Sequence, residues 1–341
     1  MDHKRITKIT LILVAIGFLI GFSPELVLAA GQPITWTWSH GITIPGSEYE
    51  KVAYTDFPKR VLEATKGQLI IKPVIGIFDP NKNMFDARDG RCQGATVIHP
   101  YYSATIPSFC WANVPGIIET NEDHKKAYAA VKDKFEKVVN NNAGVKLLFY
   151  GMFSEITIPT NKPIRKIDDF KGLKIRISNL TTAQLLEAMG ASTLTIPLSE
   201  VYMAAQRGVV DGMDASLPPL LNLKFYEVCK YAILLPLGHP AFTFVANKKA
   251  FEGIPKDIQE SLVRVGRELE EEFWGRLAAE SKAIYVELAQ KGLTFTKMPP
   301  DEMERVFQLT KPIQEKWLQL KGPEMEIRKE ILEGSRKAVG R

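Results

Sequence analysis

Between Lys256 and Gln290, apolar residues recur at Ile258, Leu262, Val265, Leu269, Phe273, Leu277, Ile284 and Leu288, at spacings of four, three or seven. That period belongs to one face of an α-helix. At 1.5 Å per residue the stretch would form a rod about 52 Å long. A lobe of about 150 residues has a diameter near 40 Å. A continuous rod of that length would be long enough to bridge two such lobes. Gly266 and Gly275 are where the run could instead break into two helices, since each glycine costs about 1 kcal/mol inside one. No proline or loop cluster interrupts the period, which favours a single helix.

The remainder alternates strand and helix. Ile34–Trp38 reads as a strand closed by Ser39-His40-Gly41, and Ser47–Thr65 as a helix. Strands follow at Gln68–Val74, Ala95–Ile98 and Val145–Tyr150, with helices near Met84–Asp89 and at Asn121–Asn140. This order implies an α/β lobe with a mainly parallel sheet. A second series has a strand at Leu173–Ile177 and a helix Thr181–Met189 stopped by Gly190. Ser199 is the expected N-cap of a helix Glu200–Gln206. Val209-Val210-Asp211 opens a further strand, and Val228–Leu235 and Phe242–Asn247 read as strands, the last crossing back to the first lobe.

The first thirty residues have the layout of a secretory signal peptide. Lys4, Arg5 and Lys8 precede an apolar run of 14 residues, Ile9 to Phe22, and small residues follow at Ala29 and Ala30. A bilayer span needs about 20 residues, so export with cleavage near Ala29 or Ala30, into the periplasm, is expected. Removing residues 1–30 takes three of 44 basic and two of 39 acidic residues, leaving a net charge of +4. So small and dispersed an excess argues against nucleic-acid binding. Three cysteines, Cys92, Cys110 and Cys229, are too few for a disulfide scaffold, and a Cys92–Cys110 bridge stays open on sequence alone.

Reactive constellations are missing. There is no Gly-x-Ser-x-Gly elbow, no phosphate-binding glycine loop and no dinucleotide fingerprint. His40, His99, His124 and His239 are too scattered to pair at metal-ligand spacing. The expectation is a protein that is not an enzyme and carries no cofactor or metal.

From residue 160 to 255 a series of motifs appears in order. They include Asn161-Lys162-Pro163-Ile164, Lys171-Gly172-Leu173-Lys174-Ile175-Arg176, Glu187-Ala188-Met189-Gly190-Ala191 and Ile196-Pro197-Leu198-Ser199-Glu200-Val201-Tyr202. Gln206-Arg207-Gly208-Val209-Val210-Asp211-Gly212, Lys224-Phe225-Tyr226-Glu227-Val228 and Asn247-Lys248-Lys249-Ala250-Phe251 complete it. The set resembles the extracytoplasmic solute-binding subunit of tripartite ATP-independent periplasmic (TRAP) transporters. That resemblance implies a two-lobe α/β periplasmic-binding-protein fold with hinge strands and a long helix spanning both lobes. The expected division is residues 31–153 plus about 242–275 in the first lobe, and 154–241 plus about 276–341 in the second. The partners it implies are a small organic acid and the membrane permease subunits of an ion-gradient-driven transporter. A binding protein of an ATP-driven transporter, a sensor partner or a secreted enzyme are the alternatives.

The resemblance also implies that Arg176 pairs with a ligand carboxylate. A planar guanidinium can give one carboxylate two parallel hydrogen bonds and stays charged. By alternation alone, Arg176 is simply one polar residue between Ile175 and Ile177. Where many sugar-acid and dicarboxylate binders carry a second arginine, this chain has Met152-Phe153-Ser154-Glu155-Ile156-Thr157. Asp214 and Ala215 occupy the stretch where an asparagine often faces the ligand, and Leu198 stands where a ring is common. Trp38, His40, Tyr101 and Phe153 end or follow strands, where open α/β sheets bind ligands. With one anion anchor and an apolar surround, the expected ligand is a monocarboxylate with an apolar or aromatic body.

Overall fold

The computed structural model describes residues 32–322 and 324–341. The signal segment lies outside them. From Ile34 onward the chain builds two sheets. The first has strand order β2-β1-β3-β11-β4, formed by β1 (Ile34–His40), β2 (Leu69–Ile75), β3 (Gly94–Ile98), β4 (Val145–Met152) and β11 (Ala241–Asn247). Strands β2, β1 and β3 are parallel, and β11 runs antiparallel to both β3 and β4. The second sheet follows the order β12-β10-β5-β8-β6-β7, with β9 beside β5. Its strands are β5 (Ile156–Thr160), β6 (Lys174–Ile177), β7 (Ser192–Thr195), β8 (Gly212–Met213), β9 (Ala215–Ser216), β10 (Tyr231–Leu234) and β12 (Thr294–Thr296).

The chain thus passes between sheets from β4 to β5 and again from β10 to β11, which makes two hinge connections. Gly238, in the second, has φ +72°, and a Cβ there would lie 1.9 Å from the Ala112 carbonyl oxygen. Only glycine fits that close crossing. Beside it, the His239 amide donates to the same Ala112 oxygen at 3.0 Å.

The long helix is continuous from Lys256 to Gln290. Ile258, Leu262, Val265, Leu269, Phe273 and Leu277 join the core of the first lobe, while Ile284 and Leu288 join a core of the second. Gly266 does not break it. A Cβ at this position would meet the Leu148 carbonyl oxygen at 2.0 Å, so the glycine lets the helix lie directly on β4.

Several local expectations are corrected. The helix over residues 48–64 contains a π-turn at Val52–Asp56, and the helix from Asn121 ends in another at Val138–Asn142. Ser199 caps nothing: a 3₁₀ turn at Leu198–Glu200 leads into Val201–Gln206 without a side-chain cap. Phe225–Val228 is helical, so the strand expected from Val228 begins only at Tyr231. The division of residues 276–341 also differs. Val306 and Ile313 pack in the second lobe, but Trp317, Ile331 and Leu332 join the first core. The reason is the amphipathic C-terminal helix Met325–Val339, which lies against the helix Asn121–Lys137. Cys92, Cys110 and Cys229 are all free and buried.

Candidate functional site

Arg176 sits near the end of β6, with Met213 of β8 beside it on one flank and Leu194 of β7 on the other. Although charged, its side chain is only 5% exposed. Such burial demands partners. Nε donates to the Ile196 carbonyl oxygen at 2.9 Å, and Nη1 donates to Asp214 Oδ1 at 2.9 Å. The second Asp214 oxygen, Oδ2, accepts from the Ser178 amide at 2.9 Å and from the Ser178 hydroxyl at 2.5 Å. Asp214 is itself held by its backbone amide, which donates to the Arg176 carbonyl at 2.8 Å. The guanidinium is therefore fixed before any ligand arrives, with Nη2 engaged by neither Ile196 nor Asp214.

Arg176 lies where two chambers meet. An inner recess of about 60 Å³ is lined by both lobes. Ile44, Ile98 and Phe153 come from the first lobe's core, and Ile156, Leu198 and Ala215 from the second lobe's elements. An outer chamber of about 900 Å³ shares Pro100, Tyr101, Arg176, Ser178 and Leu198 with it. Tyr101 faces Arg176 from the opposite lobe. Burial pushes its hydroxyl above the usual tyrosine pKa, while the Arg176 charge and a hydrogen bond to it pull the other way. Phe153 packs between Tyr49 and Phe242 at ring separations of 5.2 and 5.1 Å, so the floor of the recess is a fixed aromatic surface.

Six of the eight residues singled out from sequence thus line one recess: Arg176, Tyr101, Phe153, Leu198, Asp214 and Ala215. Trp38 and His40 do not. Trp38 is fully buried in the first core, edge-on to Phe57 at 5.0 Å and directly over Gly94, where a Cβ would lie 2.2 Å from the ring. His40 stacks on Tyr54 at 4.2 Å and shares a hydrogen bond with Thr96 Oγ1 at 2.9 Å. Burial pushes its pKa down to about 3, so the ring is a neutral core element. β1 runs on to His40, so Trp38 lies inside the strand and only His40 ends it, and both side chains are buried in the first core.

Ser178 escaped the sequence reading, although the signal was available. It follows Arg176 by two residues, and strand periodicity places such residues on one face. Pro100, Pro219 and Pro240 also line the recess, and only the folded chain brings them together. Among the described residues no group of three or more His, Cys, Asp or Glu side chains could hold a metal ion, and no helix is long and apolar enough to cross a membrane.

Residues 41–320 match the model of the bacterial extracellular solute-binding proteins, family 7. A solute-binding protein of Albidiferax ferrireducens is 25% identical over 271 residues, covering 76% of this chain and 79% of its own length. Two others, a Haemophilus influenzae protein and the C4-dicarboxylate-binding periplasmic protein of Rhodobacter capsulatus, match over only about half of their length, 49% and 50%. Among solved structures, a Bordetella pertussis extracytoplasmic solute receptor binding pyroglutamic acid superimposes with a TM-score of 0.81 at 21% identity, covering 88% of this chain and 99% of its own. A Bordetella bronchiseptica TRAP solute-binding protein with bound mandelate gives 0.78 at 24% identity, covering 90% and 99%.

Proposed function

This chain belongs to the family-7 bacterial extracellular solute-binding proteins, and from that premise we propose that it captures a small monocarboxylate with an apolar or aromatic body and passes it to a TRAP permease. Proteins of this family bind substrates and do not transform them. The observation that carries the proposal is Arg176. It is a buried guanidinium, held by Ile196 and Asp214, presented to a recess whose lining is mostly apolar, with Ile44, Ile98, Phe153, Ile156, Leu198 and prolines beside the polar Tyr101, Ser178, Asp214 and Ser216. A carboxylate meeting Nη2 and the Tyr101 hydroxyl would bury its body against Phe153. The pyroglutamate and mandelate held by proteins of the same fold are acids of this size and charge.

The proposed cycle is closure around the acid. Ligand enters through the outer chamber, its carboxylate meets Arg176, and the hinge connections let the lobes close on it. Excluding water strengthens the charge pair, because attraction grows as the effective dielectric falls. The permease then distinguishes closed, loaded protein from open, empty protein.

The test is a thermal-shift and calorimetric screen of ligand-stripped protein against aliphatic, aromatic, hydroxy, 2-oxo and dicarboxylic acids. A ligand at 100 times its Kd stabilises by about 2.7 kcal/mol. Aromatic or branched monoacids are expected to give the shift. Arg176→Lys, which keeps the charge and loses the planar fork, should abolish it. Tight binding of dicarboxylates or sugar acids with aromatic acids inert would refute the proposed ligand class.

A further inference from the structure

The anchor arginine is already paired. Asp214, 1% exposed, lines the recess and is held by Arg176 on one oxygen and by Ser178 on the other, so both its carboxylate oxygens already have donors. Its charge nevertheless acts on the recess. Among the described lining residues of the inner recess, Arg176 and Asp214 are the only charged ones, and together they make it formally neutral. The outer chamber adds Asp79 and Glu187, both acidic, and no further cation. Around the whole space one arginine thus faces three carboxylates.

We propose that Asp214 is the residue that sets the charge of the ligand, acting as a built-in counter-ion that makes the site accept monoanions and reject dianions. This rests on the carboxylate reading above. A first ligand carboxylate has the guanidinium edge beside it. A second has no cation in either chamber and meets Asp214, Asp79 or Glu187. At an effective dielectric near 20 one extra charge about 10 Å from an uncompensated carboxylate is disfavoured by about tenfold or more. Asp214 therefore has two roles, holding Arg176 in place and cancelling its surplus charge. Its neutral isostere separates them.

The experiment uses pairs of acids that differ only by amide for distal carboxylate: succinamate with succinate, and 4-carbamoylbenzoate with terephthalate. Titration calorimetry on the ligand-stripped wild-type protein is expected to favour the monoanion of each pair by about tenfold or more. In Asp214→Asn that preference should shrink by about tenfold, even if Arg176 loses alignment and both members weaken. A purely positional role would weaken both equally and leave the ratio untouched, which would overturn the proposal. Ser178→Ala loosens Asp214 without removing its charge, so its ratio should stay at the wild-type value. A collapsed ratio there would assign selectivity to arginine geometry instead. If neither pair binds the wild type but mandelate does, Asp214→Asn must gain measurable binding of a diacid, and failure to do so also overturns the proposal. Absence of any carboxylate binding to the wild type is a different failure, since it removes the carboxylate reading itself.

Discussion

The two lobes are packed from different materials. The first core is dense in rings: Trp38, Phe57 and Phe244 interlock, Tyr128 stacks on Tyr150 at 3.9 Å, and His99, Phe109 and Phe135 form a continuing layer. The buried cores of the second lobe are aliphatic, with Phe170 and Phe225 their aromatic members. The polar chemistry divides the opposite way. Arg176 on β6, Ser178 just past it and Asp214 between β8 and β9 all come from the second lobe, whereas the first lobe offers the recess Phe153, Tyr101 and aliphatic surface. One lobe is a stiff, shape-defining wall, and the other carries the charge. Aromatic abundance marks the wall and says little about where ligand binds.

The largest expected effect of that division is on acid stability. Four histidines, His40, His99, His124 and His239, are buried, and none lies in the second lobe's sheet. Burial pushes the pKa down to about 3 for His40 and His99 and to about 4 for His239, with His124 lowered in the same sense. An unfolded chain takes up these protons near pH 6.5 and the fold refuses them. Stability is therefore lost as pH falls from about 6.5 towards 4, by about 1.4 kcal/mol per pH unit for each ring. Glu280, pushed up to about 7 by burial, has the opposite sign and offsets one of them. Urea midpoints at pH 6.5 and 5 should fall steeply, and His40→Gln should reduce the slope by one proton's worth. An unchanged slope in that variant would mean His40 ionises inside the fold.

Next in size is Trp38→Ala. Truncating a fully buried tryptophan costs about 3–5 kcal/mol. In chemical denaturation the first lobe should lose that much, while ligand affinity measured on the still-folded fraction stays within about twofold. A large loss of affinity at unchanged stability would return Trp38 to the binding site and erase the contrast between wall and site.

What the sequence made legible follows the same divide. The long helix could be read to its end residues because its period is unbroken over many turns and nothing in it competes with helix. Trp38 and His40 could not be placed, since a position on a strand fixes where a side chain starts and not which face of the sheet it enters. Arg176 stood out only through likeness to a family, as an arginine alternating with isoleucines is ordinary by pattern. Its pairing with Asp214, 38 residues away in the chain, depends on β6 lying beside β8, which no local signal encodes.

The finest test of the contrast lies within the helix that both lobes share. Gly266 and Gly275 are equivalent in sequence terms, each an interior glycine with the same propensity cost of about 1 kcal/mol. The fold separates them. Gly266 is pressed against the first lobe, where an added methyl would sit 2.0 Å from a β4 carbonyl oxygen, whereas Gly275 is exposed with nothing within 4 Å. Gly275→Ala should therefore stabilise by up to about 1 kcal/mol, and Gly266→Ala should destabilise by about 1–3 kcal/mol despite the same propensity gain. Thermal melts of the two variants read the sign directly. Opposite signs would establish that the helix is seated on a rigid first lobe. Equal gains would mean that β4 yields to the methyl, and that the ring-packed wall is softer than its contacts imply.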